Sequence, residues 1–455
     1  MKKAIYDLID SYREEYTGML QRWIRIPSVK GMAEEGAPFG QEIRRMLNTA
    51  IADAQALGFD TRDFDGYACD VTLGEADEKI AVLGHLDVVP VGDGWTKPPF
   101  DALIENGRMY GRGTNDDKGP ALAALFAMKA IRDAGIPLKK SIRLILGCDE
   151  ESGWEGMEYY GAHEQIPDTG FSPDASFPLI NTEKGMLVLG LCAPAAKTGL
   201  KILKMATGDR INVIPGECTA MVEGGRDMAE KVQAYAERTG LPYTAKVTDQ
   251  GVILTATGIS GHSAYPEGKR NAIGMMLLLL KELGAEGTIA TLADAVGMES
   301  DGTSLGCACR DEVSEGLTCN MGILHLQEDG LWKGTLDMRC PVTADQEALK
   351  EAAAAHLPGI EIGTVTQKLP HHVPAESELV TKLLAAYAEE TGLEGKPMST
   401  GGGTYAKVLK QGVAFGALFP DEEDLAHQAD EYEEIDRLML AIKIYANALI
   451  RLAAE

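Results

Sequence analysis

The first 180 residues alternate between two periodicities. Apolar residues at Ile5, Leu8, Ile9 and Tyr12, then at Met19, Leu20, Trp23 and Ile24, recur at helical spacing and predict helix over 1–28, ending near Pro27. A second helix is expected over 41–57, stopped by Gly58, and a third over 119–135, which opens with Gly-Pro and closes with Gly. Between them, KIAVLGHLDVV (79–89) and SIRLILGC (141–148) are near-continuous apolar runs. Strands without polar alternation are buried on both faces, so the expected class is α/β, a mostly parallel sheet with helices on both faces.

Near Lys184 the pattern changes. LVLGLCAP, LKILKMATG, CTAMVEGG, YTAKVTDQGVILTATG and GTLDMRCPV are shorter strands of mixed polarity, interrupted by helical stretches at 228–239, 271–284 and 344–356. That texture predicts an α+β segment with mostly antiparallel pairing. After His372 the first texture returns, with a helix at 377–391, the glycine-rich STGGGTYAKVL, the apolar VAFGALF and a closing helix from about 433. The expected organisation is a catalytic domain in two parts, 1–183 and 373–455, interrupted by an inserted lid domain, 184–372. The insert has roughly the length of two ferredoxin-like units.

Composition narrows the functional classes. The chain has 455 residues, 45% hydrophobic and 25% charged, which is ordinary for a folded protein of two or three domains. Its 43 basic residues against 69 acidic ones leave a formal charge of −26, a field that repels phosphate backbones and disfavours a nucleic-acid partner. An acidic substrate would need a local cationic site. Eight cysteines without a dense framework fit a reducing compartment. MKKAIYDLIDSYREEY does not read as a signal segment, and the longest apolar stretch, Met275 to Leu280, is far below a membrane span. A cytoplasmic protein with no membrane partner is expected.

Acidic and histidine residues cluster just after predicted strands, the edge at which open α/β sheets bind ligands. His85 and Asp87 end the first strand; two such residues share a face, so Asp87 could orient the imidazole. Asp116 and Asp117 in GRGTNDDKGP precede a helix, where a capped acidic first turn is the plain alternative to a ligand. CDEES (148–152) packs Asp149, Glu150 and Glu151 at a strand end. Such crowding is unfavourable without a cation or proton, although a solvated turn explains it equally well. Asp174 in FSPDA and His427 in LAHQADEY, each unremarkable alone, complete the set.

Together these places resemble the zinc metallopeptidase family that includes aminoacylase, carnosinase and succinyl-diaminopimelate desuccinylase, and within it the PepV-type dipeptidase branch. The resemblance is carried, in order along nearly the whole chain, by GHLDVVP, GRGTNDDKGP, DEESGWEGM, GFSPDASFPLINTEKG, GHSAYPEGKRNAI, LDMRCPV, GGGTYAKVL and FPDEEDLAHQADEY.

The resemblance implies two Zn²⁺ ions, with Mn²⁺ or Co²⁺ as possible substitutes, bridged by Asp116. His85 and Asp174 would complete one ligand set; Glu151 and His427 would complete the other. Two zinc ions, three carboxylates and one hydroxide sum to zero charge, and a set of nitrogen and oxygen ligands suits these metals. It further implies a cis Asp116–Asp117 peptide, Glu150 as general base, and Asp87 as the partner of His85. In the insert, His262 would stabilise the oxyanion with Asn212 beside the substrate carbonyl, and Arg339 would hold the substrate carboxylate. Without the resemblance, all three read as ordinary turn, loop and strand-edge residues. The implied activity is hydrolysis of unblocked dipeptides. N-acyl-amino-acid deacylation, carboxypeptidase activity and a catalytically silent metal-bound protein are the alternatives. The insert is long enough to supply its own lid histidine, so a monomer is expected. Cys307 and Cys309, and His371 and His372, read as structural, while Gly401–Gly403 could bring main-chain N–H groups close to a substrate or form a flexible turn.

Overall fold

The computed structural model describes residues 2–454. These form two compact units: one comprises the chain up to Asn181, His372–Met398 and the chain from Gly403 onward, the other Thr182–His371 with Ser399–Gly402.

The first unit is built on a sheet whose centre is parallel. Ser141–Gly147 pairs with Lys79–His85, which pairs with Thr169–Ser172, which pairs with Gln411–Ala414, all parallel. Ala68–Leu73 and Asp60–Phe64 extend one side antiparallel. Alternate residues of the central strands serve two cores. Ile80 and Val82 join one, with Ile142, Leu144 and Leu146, against the helices Lys118–Asp133 and Ile435–Ala453. Ala81, Leu83 and Ile145 face the other, with Met157, Tyr160 and Tyr405. Burying each of the larger side chains contributes roughly 1.5–3 kcal/mol, which is why these strands read as unbroken apolar runs.

The details depart from the sequence pattern at element ends. The expected helix over 1–28 is two helices, Lys2–Ser11 and Arg13–Ile24, broken at Tyr12. The strand expected over 79–89 ends at His85, so Asp87 lies in the loop beyond it. Gly58, at φ 87°, follows the helix Gln41–Ala56 as expected.

The second unit carries an eight-stranded antiparallel sheet in two four-stranded halves, joined where Ile202–Thr207 pairs briefly with Thr318–Leu326. Thr318–Leu326, Glu361–Lys368 and the helix Thr288–Ala295 are elements the sequence pattern did not single out. On Leu331–Cys340, Leu336, Met338 and Cys340 enter the apolar core. The intervening Asp337 and Arg339 therefore lie together on the opposite face, both buried. Among the described residues no helix is long and apolar enough to cross a membrane.

Candidate active site

Three neighbouring parallel strands deliver the acidic and histidine residues to one edge of the first unit's sheet. His85 is the last residue of its strand, Asp174 follows Thr169–Ser172, and Glu150 and Glu151 follow Ser141–Gly147. Asp116 sits in the loop before the helix Lys118–Asp133, and His427 in the loop before the strand Tyr432–Glu434. The Asp116–Asp117 peptide is cis.

Asp116 lies between two imidazoles. Its Oδ1 is 2.9 Å from His85 Nε2, and its Oδ2 is 3.0 Å from His427 Nε2. Asp174 Oδ2 approaches His85 Nε2 at 3.6 Å, and Glu151 Oε2 lies 3.0 Å from His427 Nε2. The result is two groups that could each hold a metal ion, His85–Asp116–Asp174 and Asp116–Glu151–His427, with one carboxylate common to both. Ligand atoms around a tetrahedral ion with bonds of about 2.0–2.1 Å stand about 3.3 Å apart. The observed separations, 2.9–3.6 Å in the first group and 3.0 Å in the second, lie near that value, and the nitrogen and oxygen donors of each group suit such an ion.

The surroundings hold these groups in place. His85 Nδ1 faces the main-chain carbonyl of Asp87 at 3.0 Å, with the Asp87 carboxylate farther away at 3.5 Å. The Asp87 carboxylate instead accepts the main-chain N–H of Glu150 on Oδ1 and of Glu151 on Oδ2, both at 3.1 Å. Asp117 Oδ2 accepts the main-chain N–H of His85 at 3.0 Å. Gly84 makes that approach possible, since a Cβ there would stand 2.8 Å from the same oxygen. Asp149, the third acid of the CDEES run, is buried in an ion pair with Lys30 at 2.7 Å and accepts the N–H of Glu155, so its charge is answered without any metal. Among the described residues, Glu150 Oε1 is buried with no hydrogen-bond partner.

The charges of these side chains lean on one another. Burial pulls the His427 imidazole down, but Asp116 and Glu151 outweigh it and push it up to about 11. His85 is likewise held well above its ordinary value, burial being outweighed by Asp116, Asp174 and Asp87. Asp116 is lowered, because hydrogen bonds to His427 and His85 overcome its burial. Burial, then the neighbouring Asp116, raise Glu151 to about 7 and Asp174 to about 6. Burial, then Asp174, raise Glu150 well above the usual carboxylate range.

His262, Asn212 and Arg339 belong to the second unit. His262 pairs with Val213 in a short ladder. Its Nδ1 accepts the N–H of Ala264 at 3.1 Å, which leaves the proton of a neutral ring on Nε2, 3.5 Å from Asn212 Nδ2. Arg339 donates from Nη1 to Gly401 O at 2.9 Å and from Nη2 to Asp337 Oδ2 at 3.0 Å. Asp337 Oδ2 also accepts Ser263 Oγ at 2.5 Å, so one buried carboxylate ties Arg339 to the residue after His262. Asp337 was legible in LDMRCPV, two residues before Arg339 on a strand, where period two puts both on one face.

An α/β unit that gathers two overlapping carboxylate–histidine groups at a sheet edge defines a metal-dependent hydrolase type of site. The sequence profile of Peptidase family M20/M25/M40 matches residues 81–451, and the chain belongs to this family of peptidases. It is 38% identical over 454 residues to the protein named "Putative dipeptidase YtjP" of Bacillus subtilis (strain 168), covering 97% of this chain and 98% of that one. The fold is similar to that of human carnosine dipeptidase 1, with a TM-score of 0.64 at 16% identity over 99% of this chain and 98% of the other. It is also similar to that of the di-peptidase Dug1p of Saccharomyces cerevisiae, with a TM-score of 0.62 at 15% identity over the same shares.

Proposed function

We propose that the protein is a dinuclear zinc dipeptidase acting on unblocked dipeptides. The observation that carries this reading is Asp116, whose two oxygens face two different imidazoles and so belong to two ligand groups at once. His85 and Asp174 would hold one ion with it, and Glu151 and His427 the other. Zinc bound there supplies Lewis-acid polarisation of a carbonyl and lowers the pKa of water towards ~7.

The chain's own residues account for the proton and the substrate. Glu150 Oε1, buried and without a partner among the described residues, takes a proton from the attacking water and returns it to the leaving amine. Asp87 holds the main chain of Glu150 and Glu151, so base and ligand keep a fixed separation. His262 donates from Nε2 to the developing oxyanion, with Asn212 beside it. Arg339 holds the substrate carboxylate with its remaining donors, a task suited to a planar guanidinium. The dipeptidase names of the relatives support a dipeptide over an N-acyl amino acid or a longer peptide. The eight-stranded sheet of the insert, in two four-stranded halves, is large enough for two lid units in one chain, which supports a monomer.

The test is metal analysis of the purified protein together with a panel of dipeptides, N-acyl amino acids and tripeptides. Two zinc ions per chain and selective dipeptide turnover are expected. Glu150→Gln should keep both ions while turnover falls about 10²–10⁴-fold. Undiminished turnover in that variant would remove Glu150 from the role of base.

A further inference from the structure

Glu431 is fully buried and belongs to neither ligand group, yet its carboxylate reaches into the loop that carries Asp116. Its Oε1 accepts main-chain N–H groups from Gly113 at 2.9 Å, Asn115 at 3.0 Å and Asp116 itself at 3.4 Å. Its Oε2 accepts from Arg112 Nη1 at 2.5 Å, and its main-chain carbonyl accepts the N–H of Gly111 at 2.8 Å. Four residues earlier in the same short loop stands His427. That loop is specified residue by residue: His427 and Asp430 take positive φ of 64° and 57°. The Asp430 carboxylate accepts from the N–H groups of Thr96 and Lys97 at 2.8 and 3.0 Å.

We propose that Glu431 is a positioning residue for the metal site. Its carboxylate joins the loop of residues 111–116 to the loop of residues 427–431 and so fixes Asp116 relative to His427, two of the three ligands in the second group. The inference rests on the metal reading above. Three N–H groups converging on one oxygen form a nest suited to a negative charge. Arg112, 1% exposed, answers that charge, so the clamp is closed on itself and leaves the ligands' own oxygens to the metal. Residues that orient ligands in this way shift metal affinity about 10–100-fold when replaced.

Removing either charge alone would strand the other in the interior, so the informative variants are neutral pairs. Arg112→Met/Glu431→Gln keeps an amide oxygen to accept the three N–H groups; Arg112→Met/Glu431→Ala removes it. Metal-free proteins are titrated with Zn²⁺ against a chromophoric chelator, with circular dichroism as the check on folding. The wild type should take up two ions. The glutamine pair should bind both within about threefold of it, and the alanine pair should bind one of its two ions about 10–100-fold more weakly. Equal affinities in all three proteins overturn the proposal, and so does equal weakening in both pairs, because only one of them lacks the acceptor. A wild type that takes up no zinc overturns the metal reading instead. Should the alanine pair fail to fold, amide hydrogen exchange in the metal-free wild type decides. Slow exchange at Gly113, Asn115 and Asp116 supports the clamp, and exchange as fast as that of exposed loops overturns it.

Discussion

Replacing Asp87 tests whether its carboxylate holds the 150–151 turn, as the structure shows, or orients His85, as the sequence suggested. Asp87 is 1% exposed, and each of its carboxylate oxygens accepts one main-chain N–H, from Glu150 and from Glu151, at 3.1 Å. Asp87→Ala deletes both acceptors. A buried donor left without an acceptor costs about 1–3 kcal/mol, so two cost roughly 2–6 kcal/mol. The lower half of that range is expected, because both bonds are only partly buried and water can replace some of what is lost. Asp87→Asn keeps one acceptor oxygen and turns a donor towards the other N–H, so it should cost about half as much, roughly 1–3 kcal/mol. The His85 ring should stay put in both variants, since its Nδ1 faces the Asp87 main-chain carbonyl.

The assay is urea unfolding of the metal-free protein, so that metal-binding energy does not mask the difference. Circular dichroism and tryptophan fluorescence are read together, because a chain of two units need not unfold in one step. Stability should fall in the order wild type, asparagine, alanine. An alanine variant as stable as the asparagine one, or either within about 0.5 kcal/mol of wild type, which is the scale of an ordinary surface substitution, refutes the idea that this carboxylate holds the 150–151 turn.

Three further predictions follow from single observations. Gly84→Ala should destabilise the first unit by about 1–3 kcal/mol in thermal unfolding, because its Cβ would stand 2.8 Å from Asp117 Oδ2 and 2.9 Å from Ala121 Cβ. Asp337→Asn should cost about 3 kcal/mol by leaving the Arg339 charge buried without its carboxylate. Adding Arg339→Met should restore stability but leave KM raised, and a double variant with normal KM would remove Arg339 from substrate binding. Asp133 is held down to about 2, from an ordinary 3.8, because hydrogen bonds with Lys129, Tyr12 and Arg132 outweigh its burial. A lowered carboxylate stabilises the fold above its unfolded pKa and ceases to do so as pH falls through the folded one. The stability difference between wild type and Asp133→Asn should therefore shrink between about pH 4 and pH 2, and a constant difference would contradict the assignment.

What was legible in the sequence was what depends on local period. The central strands were visible because both their faces are buried, and His85, Glu151 and Asp174 because they end or follow those strands; Asp116 and His427 stand in loops and were singled out by the family resemblance. Element ends were not visible: nothing in the apolar spacing of residues 1–28 marks the break at Tyr12. Nor does KIAVLGHLDVV show that the ladder stops at His85, which moves Asp87 off the strand and changes which of its atoms meets the imidazole. The partners that hold the site escaped for a different reason. Glu431 and Asp117 act through hydrogen bonds to main-chain groups distant in sequence, and an N–H has no residue type to betray it. Asp149 misled in the opposite direction, since its place in an acidic run suggested a cation and the cation is Lys30.

One arrangement recurs through the first unit, and it explains how an acidic chain can hold a cluster of carboxylates in its interior. Asp116, Asp87 and Glu431 each divide their two oxygens between two partners: two imidazoles, two successive N–H groups, and a guanidinium against a nest of three N–H groups. A buried carboxylate that satisfied only one oxygen would favour protonation or rotation. Filling both sides removes each alternative and makes the side chain a rigid link. Glu150 departs from this pattern, with one oxygen buried and unpartnered among the described residues. Asp117 Oδ1 is likewise buried without a partner, but Asp117 spends its other oxygen on the main-chain N–H of His85, so of the two it is Glu150 whose side chain is left to accept a proton and give it back.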